Sequence, residues 1–330
     1  MNAPQAITVT LNPAIDQLVT LDALLPGQVQ RALGSVQAPG GKGINVAAAL
    51  AGLGVSTAAL GVLGSDNAGM FEALFAQRGI ADACLRVPGQ TRTNIKLVAD
   101  GGRQTTDINL PGLALAEAHL DAVMRALARY LRPGLAVVLS GSLPAGLPAD
   151  SWARLQAQAV AAGADVLLDT SEAPLAAALA TTPHAAMPWA IKPNREELQA
   201  ATGQRLDSRD TLLAAARSLL DRGLGLVVVS MGEEGALFAS AQGAVIARPP
   251  QRARGSSVGA GDAMVAGMVA ARLRGLDLAD TARLSTASAL AWLQAAPARE
   301  VDANRVQALA ASVLLEPCQW PWSPVLQELS

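Results

Sequence analysis

The chain is 330 residues long, 51% hydrophobic and 16% charged, with 25 basic and 27 acidic residues giving a net charge of −2. That length is ample for a buried core in one large α/β unit or two smaller ones, and the balanced charge leaves no electrostatic footprint for duplex nucleic acid. No run of about 18 uninterrupted apolar residues is available to span a bilayer, and the first residues lack the basic and apolar regions of a secretory signal, so a cytoplasmic protein with small-molecule partners is expected.

In chain order, residues 12–36 are the first segment, and Gly40-Gly41-Lys42-Gly43-Ile44-Asn45 then opens an Ala-rich helix. Residues 91–110 follow, where Thr91, Thr93, Ile95, Leu97 and Ile108 suggest extended chain; with 12–36 they are read as strands of a small accessory sheet. A helix is expected over Glu117 to Tyr130, then the strand Ala136-Val137-Val138-Leu139 running into Ser140-Gly141-Ser142-Leu143-Pro144. After a helix over Ser151 to Ala162, the run Val166-Leu167-Leu168 ends in Asp169-Thr170-Ser171, and Trp189-Ala190-Ile191 ends in Lys192-Pro193-Asn194. Asp207-Ser208 can cap a helix reaching Asp221, and Leu226-Val227-Val228-Val229 ends in Ser230-Met231-Gly232. Short apolar strands alternating with helices imply a mostly parallel sheet flanked by helices. Ligands of such sheets bind at the carboxyl ends of the strands, so these four endings are expected on one rim.

Ser257-Val258-Gly259-Ala260-Gly261-Asp262 comes next, with a helical run expected from Ala263 to Leu276. Successive small residues let backbone N–H groups converge, and a helix starting there adds its positive end, which together make an anion hole. Phosphoryl transfer needs charge stabilisation on the equatorial oxygens and an acceptor for the nucleophile's proton; this segment offers both, with Asp262 as the acceptor. A tight turn with an N-capping Asp is the plainer alternative. The stretch from Glu316 to Ser330, with Trp320-Pro321-Trp322, reads as an appended surface tail.

The remaining motifs are each open to two readings. Gly40 to Asn45 is neither a P-loop nor a dinucleotide fingerprint, yet it offers close backbone approach and the cation Lys42 to a phosphate or sugar; otherwise it is a glycine-rich helix start. Arg92 suits bidentate phosphate contact or is an exposed strand arginine. Asn194 and Glu197 form Asn-x-x-Glu, which can order Mg²⁺ through waters or can be an ordinary first helical turn. Ser230-Met231-Gly232-Glu233-Glu234-Gly235 allows a nucleotide close to the backbone or makes a β-turn. Cys84 and Cys318 fit no metal or redox spacing and read as reduced structural thiols. His119 and His184 are too few for a histidine-based site, and Arg248, Arg252 and Arg254 read as a solvated loop.

Together these motifs resemble the ribokinase/PfkB carbohydrate kinases from about Ile7 to Leu309. Gly40 to Ala47, followed by Gly54 and Gly64, and Val258 to Asp262 resemble that family's two signature regions in their usual order; Ser140 to Pro144, Lys192-Pro193-Asn194 with Glu197, and Ser230 to Gly235 match between them. Leu11-Asn12-Pro13-Ala14-Ile15-Asp16 and Thr91-Arg92 narrow the resemblance to the phosphosugar branch. Gly-Gly-Lys-Gly-Ile-Asn, Thr-Arg-x-Asn-x-Lys and Thr106-Asp107-Ile108-Asn109 favour its members that phosphorylate fructose 1-phosphate to fructose 1,6-bisphosphate. Tagatose-6-phosphate and 6-phosphofructokinase members are the alternatives, the latter typically having glycine in place of Lys42. A non-catalytic sugar-phosphate sensor is the alternative of another class, and retention of Asp262 and its glycine cradle speaks against it.

The resemblance implies a three-layer α/β/α sandwich with a mostly parallel central sheet and a small β lid, as a single kinase domain over residues 1–315 with a tail at 316–330. It implies Asp262 as the base on the sugar hydroxyl beside Gly259, Ala260 and Gly261, and sugar binding by Asp16, Gly41, Asn45 and Ser142. Lys42 and Arg92 would hold the existing phosphate. Lys192, Asn194, Glu197 and Ser230, Met231, Gly232, Glu233, Glu234 and Gly235 match the ATP and Mg²⁺ side, with Glu197 reaching the metal through water. The lid implies a homodimer.

Overall fold

The computed structural model describes residues 3–181, 186–250, 258–295 and 300–320. Its strands are, in chain order, β1 (Ala6–Thr10), β2 (Ala14–Thr20), β3 (Gly34–Gly40), β4 (Thr57–Gly64), β5 (Ala81–Asp82), β6 (Leu85–Val87), β7 (Arg92–Ala99), β8 (Gln104–Asn109), β9 (Ala136–Ser140), β10 (Asp165–Asp169), β11 (Ala190–Ile191), β12 (Leu226–Ser230), β13 (Ala236–Ser240), β14 (Gly243–Arg248) and β15 (Leu314–Pro317). The α-helices are α1 (Lys42–Gly52), α2 (Gly69–Arg78), α3 (Glu117–Ala128), α4 (Ser151–Ala161), α5 (Glu172–Thr181), α6 (Arg195–Thr202), α7 (Arg209–Asp221), α8 (Ala260–Leu273), α9 (Leu278–Gln294) and α10 (Ala303–Ala310).

The order β4-β1-β9-β10-β11-β12 runs parallel, and β13, β14 and β15 extend the same sheet antiparallel. Strands covered on both faces read as unbroken apolar runs, because every side chain is inside. Alternation divides them: Val137, Leu139, Val166 and Leu168 face α3, α4, α5 and α7, where they meet Leu120, Trp152, Leu175 and Leu219. Ala136, Val138 and Leu167 face α1, α8, α9 and α10, where they meet Leu50, Val265, Ala287 and Val306. Full burial of each large apolar side chain contributes about 1.5–3 kcal/mol, so these two layers hold the sheet between them. This is the expected three-layer α/β/α arrangement.

Register then places the chemistry. Ser140 stands opposite Asp169 at the ends of β9 and β10, and Asn194 bridges to Ser230 beyond β11 and β12. The four motif-bearing strand endings therefore do lie on one rim. The second sheet, of order β3-β2-β7-β8, comes from the two segments read as accessory strands.

Three details differ from the sequence reading. Helix α8 begins at Ala260, three residues before the expected start, so Asp262 lies inside its first turn. The boundary at residue 316 falls inside β15, whose Glu316 pairs with Arg209 at 2.6 Å and Arg248 at 3.3 Å; this strand covers β14, which would otherwise present a bare edge. Cys318 and Trp320 pack on the core beyond it, so the chain leaves the body later than composition suggested. Ser257, Arg252, Arg254, His184 and the rest of the tail from residue 321 lie outside the described residues. Cys84 and Cys318 are free thiols, and burial pushes that of Cys84 far up. Among the described residues no helix is long and apolar enough to cross a membrane.

Candidate active site

Two helices open toward each other above the rim. Gly259 precedes α8 at φ 83°, a left-handed conformation that disfavours a side chain, and a Cβ there would lie 2.5 Å from the Trp292 indole nitrogen. That indole donates to the Val258 carbonyl at 3.0 Å and fixes the turn. Gly41 precedes α1 at φ 103°, with Pro13 filling the space a Cβ would need. Neither helix has a side-chain cap, so their first N–H groups are not spent on capping side chains.

Asp262 is buried in the first turn of α8. Asn45, one turn into α1, donates its Nδ2 to Asp262 Oδ2 at 2.8 Å, tying the two helix starts together. Burial first, and then the charge of Asp169, push the Asp262 carboxyl up to about 6; Lys42, the Asn45 hydrogen bond and Lys192 only partly offset this. A carboxyl so placed ionises close to neutrality, and the N-cap position of α8 belongs to Gly259 and not to Asp262.

Asp169 ends β10 with 1% of its side chain exposed. Its Oδ1 lies 3.3 Å from Lys42 Nζ and 3.4 Å from Lys192 Nζ. Burial opposes its charge, but the two ammonium groups outweigh it and hold the carboxyl below its ordinary range. Lys42 is likewise raised: burial works against its charge, while Asp169, Asp262 and Glu197 favour it more strongly. Lys192 stands at the turn of α8, its Nζ 3.2 Å from where a Cβ on Gly261 would be.

Along the second sheet, Asn94 donates to Asp16 Oδ1 at 3.3 Å, and the Asp16 carboxylate lies against Gly40 so closely that a Cβ on Gly40 would overlap it. The Arg92 guanidinium lies 3.4 Å from each of three backbone carbonyls, those of Asn12, Pro13 and Leu110. Half-burial lowers its pKa and the charge of Asp16 works in the opposite direction. Asn12 in turn donates to Ser142 Oγ at 3.0 Å.

On the other side of α8 is a cavity of about 750 Å³ whose lining includes Asn194, Ser230 to Gly235, Ala260, Gly261 and Leu293. Arg195 and Glu234, also in its wall, form an ion pair at 3.6 Å. Glu197 forms a capping box: its Oε2 accepts the Asn194 N–H at 2.8 Å, while Asn194 Oδ1 accepts the Glu197 N–H at 2.7 Å. The plainer reading of Asn-x-x-Glu is thus present in the fold, and the Glu197 charge still acts on Lys42.

The structure thus gathers Asp262, Asn45, Lys42 and Lys192 into one cluster, and brings Asn194 and the Ser230 to Gly235 turn to the cavity beside it. Arg92, Asp16 and Ser142 belong to a group anchored on Asn12, Pro13 and the second sheet, while Lys42 pairs with Asp169. Asp169 belongs to one of the four strand endings expected on the rim, but the sequence assigns it no role of its own. Among the described residues no cluster of three or more His, Cys, Asp or Glu side chains is arranged to hold a metal.

The sequence pattern of the pfkB family carbohydrate kinases matches residues 9–302. The chain is 61% identical to a 1-phosphofructokinase of Xanthomonas campestris pv. campestris, over 94% of this chain and 98% of that one. It is 46% identical to a 1-phosphofructokinase of Rhodobacter capsulatus, over 94% and 96% of the two chains. Among solved structures it resembles phosphofructokinase-2 from Escherichia coli in complex with potassium, with a TM-score of 0.86 and 29% identity over 93% of this chain and 98% of that one.

Proposed function

Since the chain belongs to the pfkB family of carbohydrate kinases, and is therefore a phosphotransferase acting on a sugar hydroxyl, we propose that it transfers the terminal phosphoryl of ATP to fructose 1-phosphate, giving fructose 1,6-bisphosphate, with Asp262 as the general base. The substrate assignment rests on the names of its close relatives. The base assignment rests on one observation: a buried carboxyl with pKa about 6 in the first turn of an uncapped helix, between that helix's glycine turn and the helix of the Gly40 to Asn45 motif.

In this reading ATP lies in the 750 Å³ cavity, with its terminal phosphate at the Gly259-Ala260-Gly261 turn. The N–H groups there, the helix dipole and Lys192 would meet the charge on the migrating phosphoryl. Asp16, Gly41, Asn45 and Ser142 would hold the sugar hydroxyls, and Arg92 its existing phosphate. Asp262 would take the proton from the attacking hydroxyl, with Asn45 fixing the carboxylate by its other oxygen.

The acidic donors fit Mg²⁺ carried by nucleotide phosphates and waters rather than caged by protein, since Glu197 commits one oxygen to the Asn194 amide and a water-mediated contact asks little more of it. When bound, the ion would neutralise charge on the phosphates. We read the chain through Trp320 as one kinase unit acting in the cytoplasm, with β2, β3, β7 and β8 as its lid. Exposed Val29, Leu33, Val36 and Ile108 on the lid strands and their connection support a homodimer through that sheet.

Asp262→Asn tests the base. It keeps the shape and the Asn45 contact but cannot accept a proton, so kcat should fall by about 10²–10⁴-fold. Wild-type kcat/KM should decline as pH falls through about 6, where Asp262 is protonated. Stability runs the other way: a carboxyl whose folded pKa is raised contributes most when neutral, at low pH, and loses that contribution as pH rises through about 6. Asp262→Asn should therefore melt at or above wild type at pH 7. Near-normal turnover in this variant would remove Asp262 from the chemistry.

A further inference from the structure

Asp169 is hard to explain as part of the scaffold. Its Oδ2 is buried and has no hydrogen-bond partner among the described residues, an arrangement that costs stability instead of supplying it. Its Oδ1 meanwhile serves two ammonium groups from elements far apart in the chain, Lys42 at the start of α1 and Lys192 just after β11. Two like charges brought to one oxygen repel each other at short range, and that repulsion is strong away from water. Only the carboxylate between them makes the arrangement stable. Lys42 shares its helix with Asn45, which holds Asp262, whereas Lys192 lies against Gly261 in the glycine turn.

We propose that Asp169 is a positioning residue for phosphoryl transfer: one carboxylate oxygen gathers Lys42 and Lys192 so that one cation stands with the sugar-side helix and the other with the nucleotide-side turn. The proposal moves Lys42 from the sugar's existing phosphate to the phosphoryl in flight. A carboxylate kept ionised by two cations also keeps the negative charge that raises Asp262 and so keeps the base proton-accepting near neutrality. The inference rests on Asp262 being the base, and the groups acting on Asp262 from the elements around it are Lys42 and Asn45 on α1, Asp169 on β10 and Lys192 after β11.

The test is a pair of variants with opposite expected signs. Asp169→Asn keeps the shape and removes the charge; kcat should fall about 10²-fold, as for a reacting group misplaced by about 1 Å, with both KM values within a few-fold of wild type. Its acid limb should move to lower pH, because Asp262 loses a neighbouring negative charge. Lys42→Met removes a positive neighbour and should move the acid limb to higher pH while also lowering kcat. Substrate ionisation is common to all three enzymes, so only the shifts relative to wild type are read. A merely structural Asp169 would change the melting temperature and leave the acid limb in place. Wild-type kcat in Asp169→Asn, an unmoved acid limb in that variant, or a Lys42→Met limb at or below the wild-type position overturns the proposal. Should Asp169→Asn fail to fold, the Lys42→Met limb decides alone. An inactive Asp262→Asn enzyme beside a fully active Asp169→Asn enzyme would sink this inference and leave the base assignment standing.

Discussion

Helices α1 and α8 begin differently from α6, α7, α9 and α10. The latter four are closed by their own side chains: Asn194, Ser208, Asp277 and Asp302 each accept a backbone N–H from the first turn. The former two begin at glycines with positive φ and no side-chain cap. A helix that leaves its first N–H groups without a side-chain cap forgoes about 1 kcal/mol of capping stability; α2, α3 and α4 do so as well, but among the described helix starts α1 and α8 alone begin at a glycine with positive φ, and these two meet in the Asn45 to Asp262 contact. Self-capped starts serve the fold, and a glycine start with free N–H groups is the kind of helix end that suits an anion. Asn194 is the intermediate case, since it caps its helix and also lines the cavity.

The largest effect that would sharpen this contrast is expected at Gly259. In Gly259→Ala the new methyl needs the space of the Trp292 indole and a φ that costs an L-residue about 1–3 kcal/mol. The turn should open and its N–H groups lose their aim, lowering kcat by about 10²–10³-fold, the usual effect of losing one oxyanion-hole donor. Steady-state kinetics beside a thermal melt would check it. Wild-type kcat would mean that the open start of α8 has no part in the chemistry.

Arg92→Ala comes next and separates the second-sheet group from the helix starts. Its guanidinium is aimed by three carbonyls at 3.4 Å, which are long contacts for a charged donor. Losing a charged hydrogen bond of about 1.5–3 kcal/mol to a sugar phosphate should raise the KM for that substrate about 10–100-fold and leave the KM for ATP nearly unchanged. An equal rise in both would place Arg92 outside the sugar pocket.

Much of this layout is legible in the chain because it is local. The runs at residues 136–139, 166–168 and 226–229 are apolar without interruption, as strands buried on both faces must be, and the glycine motifs announce their helix starts. Ser208 announces its cap in the same way. The antiparallel extension β13 to β15 is not legible in the sequence, since its strands carry no chemical motif and β15 is defined only by pairing with β14 some 70 residues earlier. Asp169 is legible as the start of one of the four rim motifs, but its role is not, for the same physical reason. Its partners Lys42 and Lys192 are distant in sequence, and an acidic residue ending a strand looks the same whether it faces water or two buried ammonium groups. The start of α8 at Ala260 depends on a backbone angle at Gly259 that glycine permits but does not require.

The smallest expected effect tests the intermediate case. Ser208→Ala and Asn194→Ala each remove one side-chain acceptor from a helix N-terminus, and each should cost about 1 kcal/mol in chemical denaturation. The Ser208 cap on α7 is exposed, so its loss should leave both KM values alone. The Asn194 cap lies in the cavity wall and is reciprocated by Glu197, whose carboxylate keeps its bond to the backbone N–H of residue 194 when the side chain is removed. If the cavity takes the nucleotide, Asn194→Ala should raise the KM for ATP several-fold beyond whatever Ser208→Ala does, with the sugar KM unmoved. Equal kinetics in the two variants would reduce Asn194 to a cap like the others, and the nucleotide side of the site would then have to be carried by the Ser230 to Gly235 turn and the open start of α8.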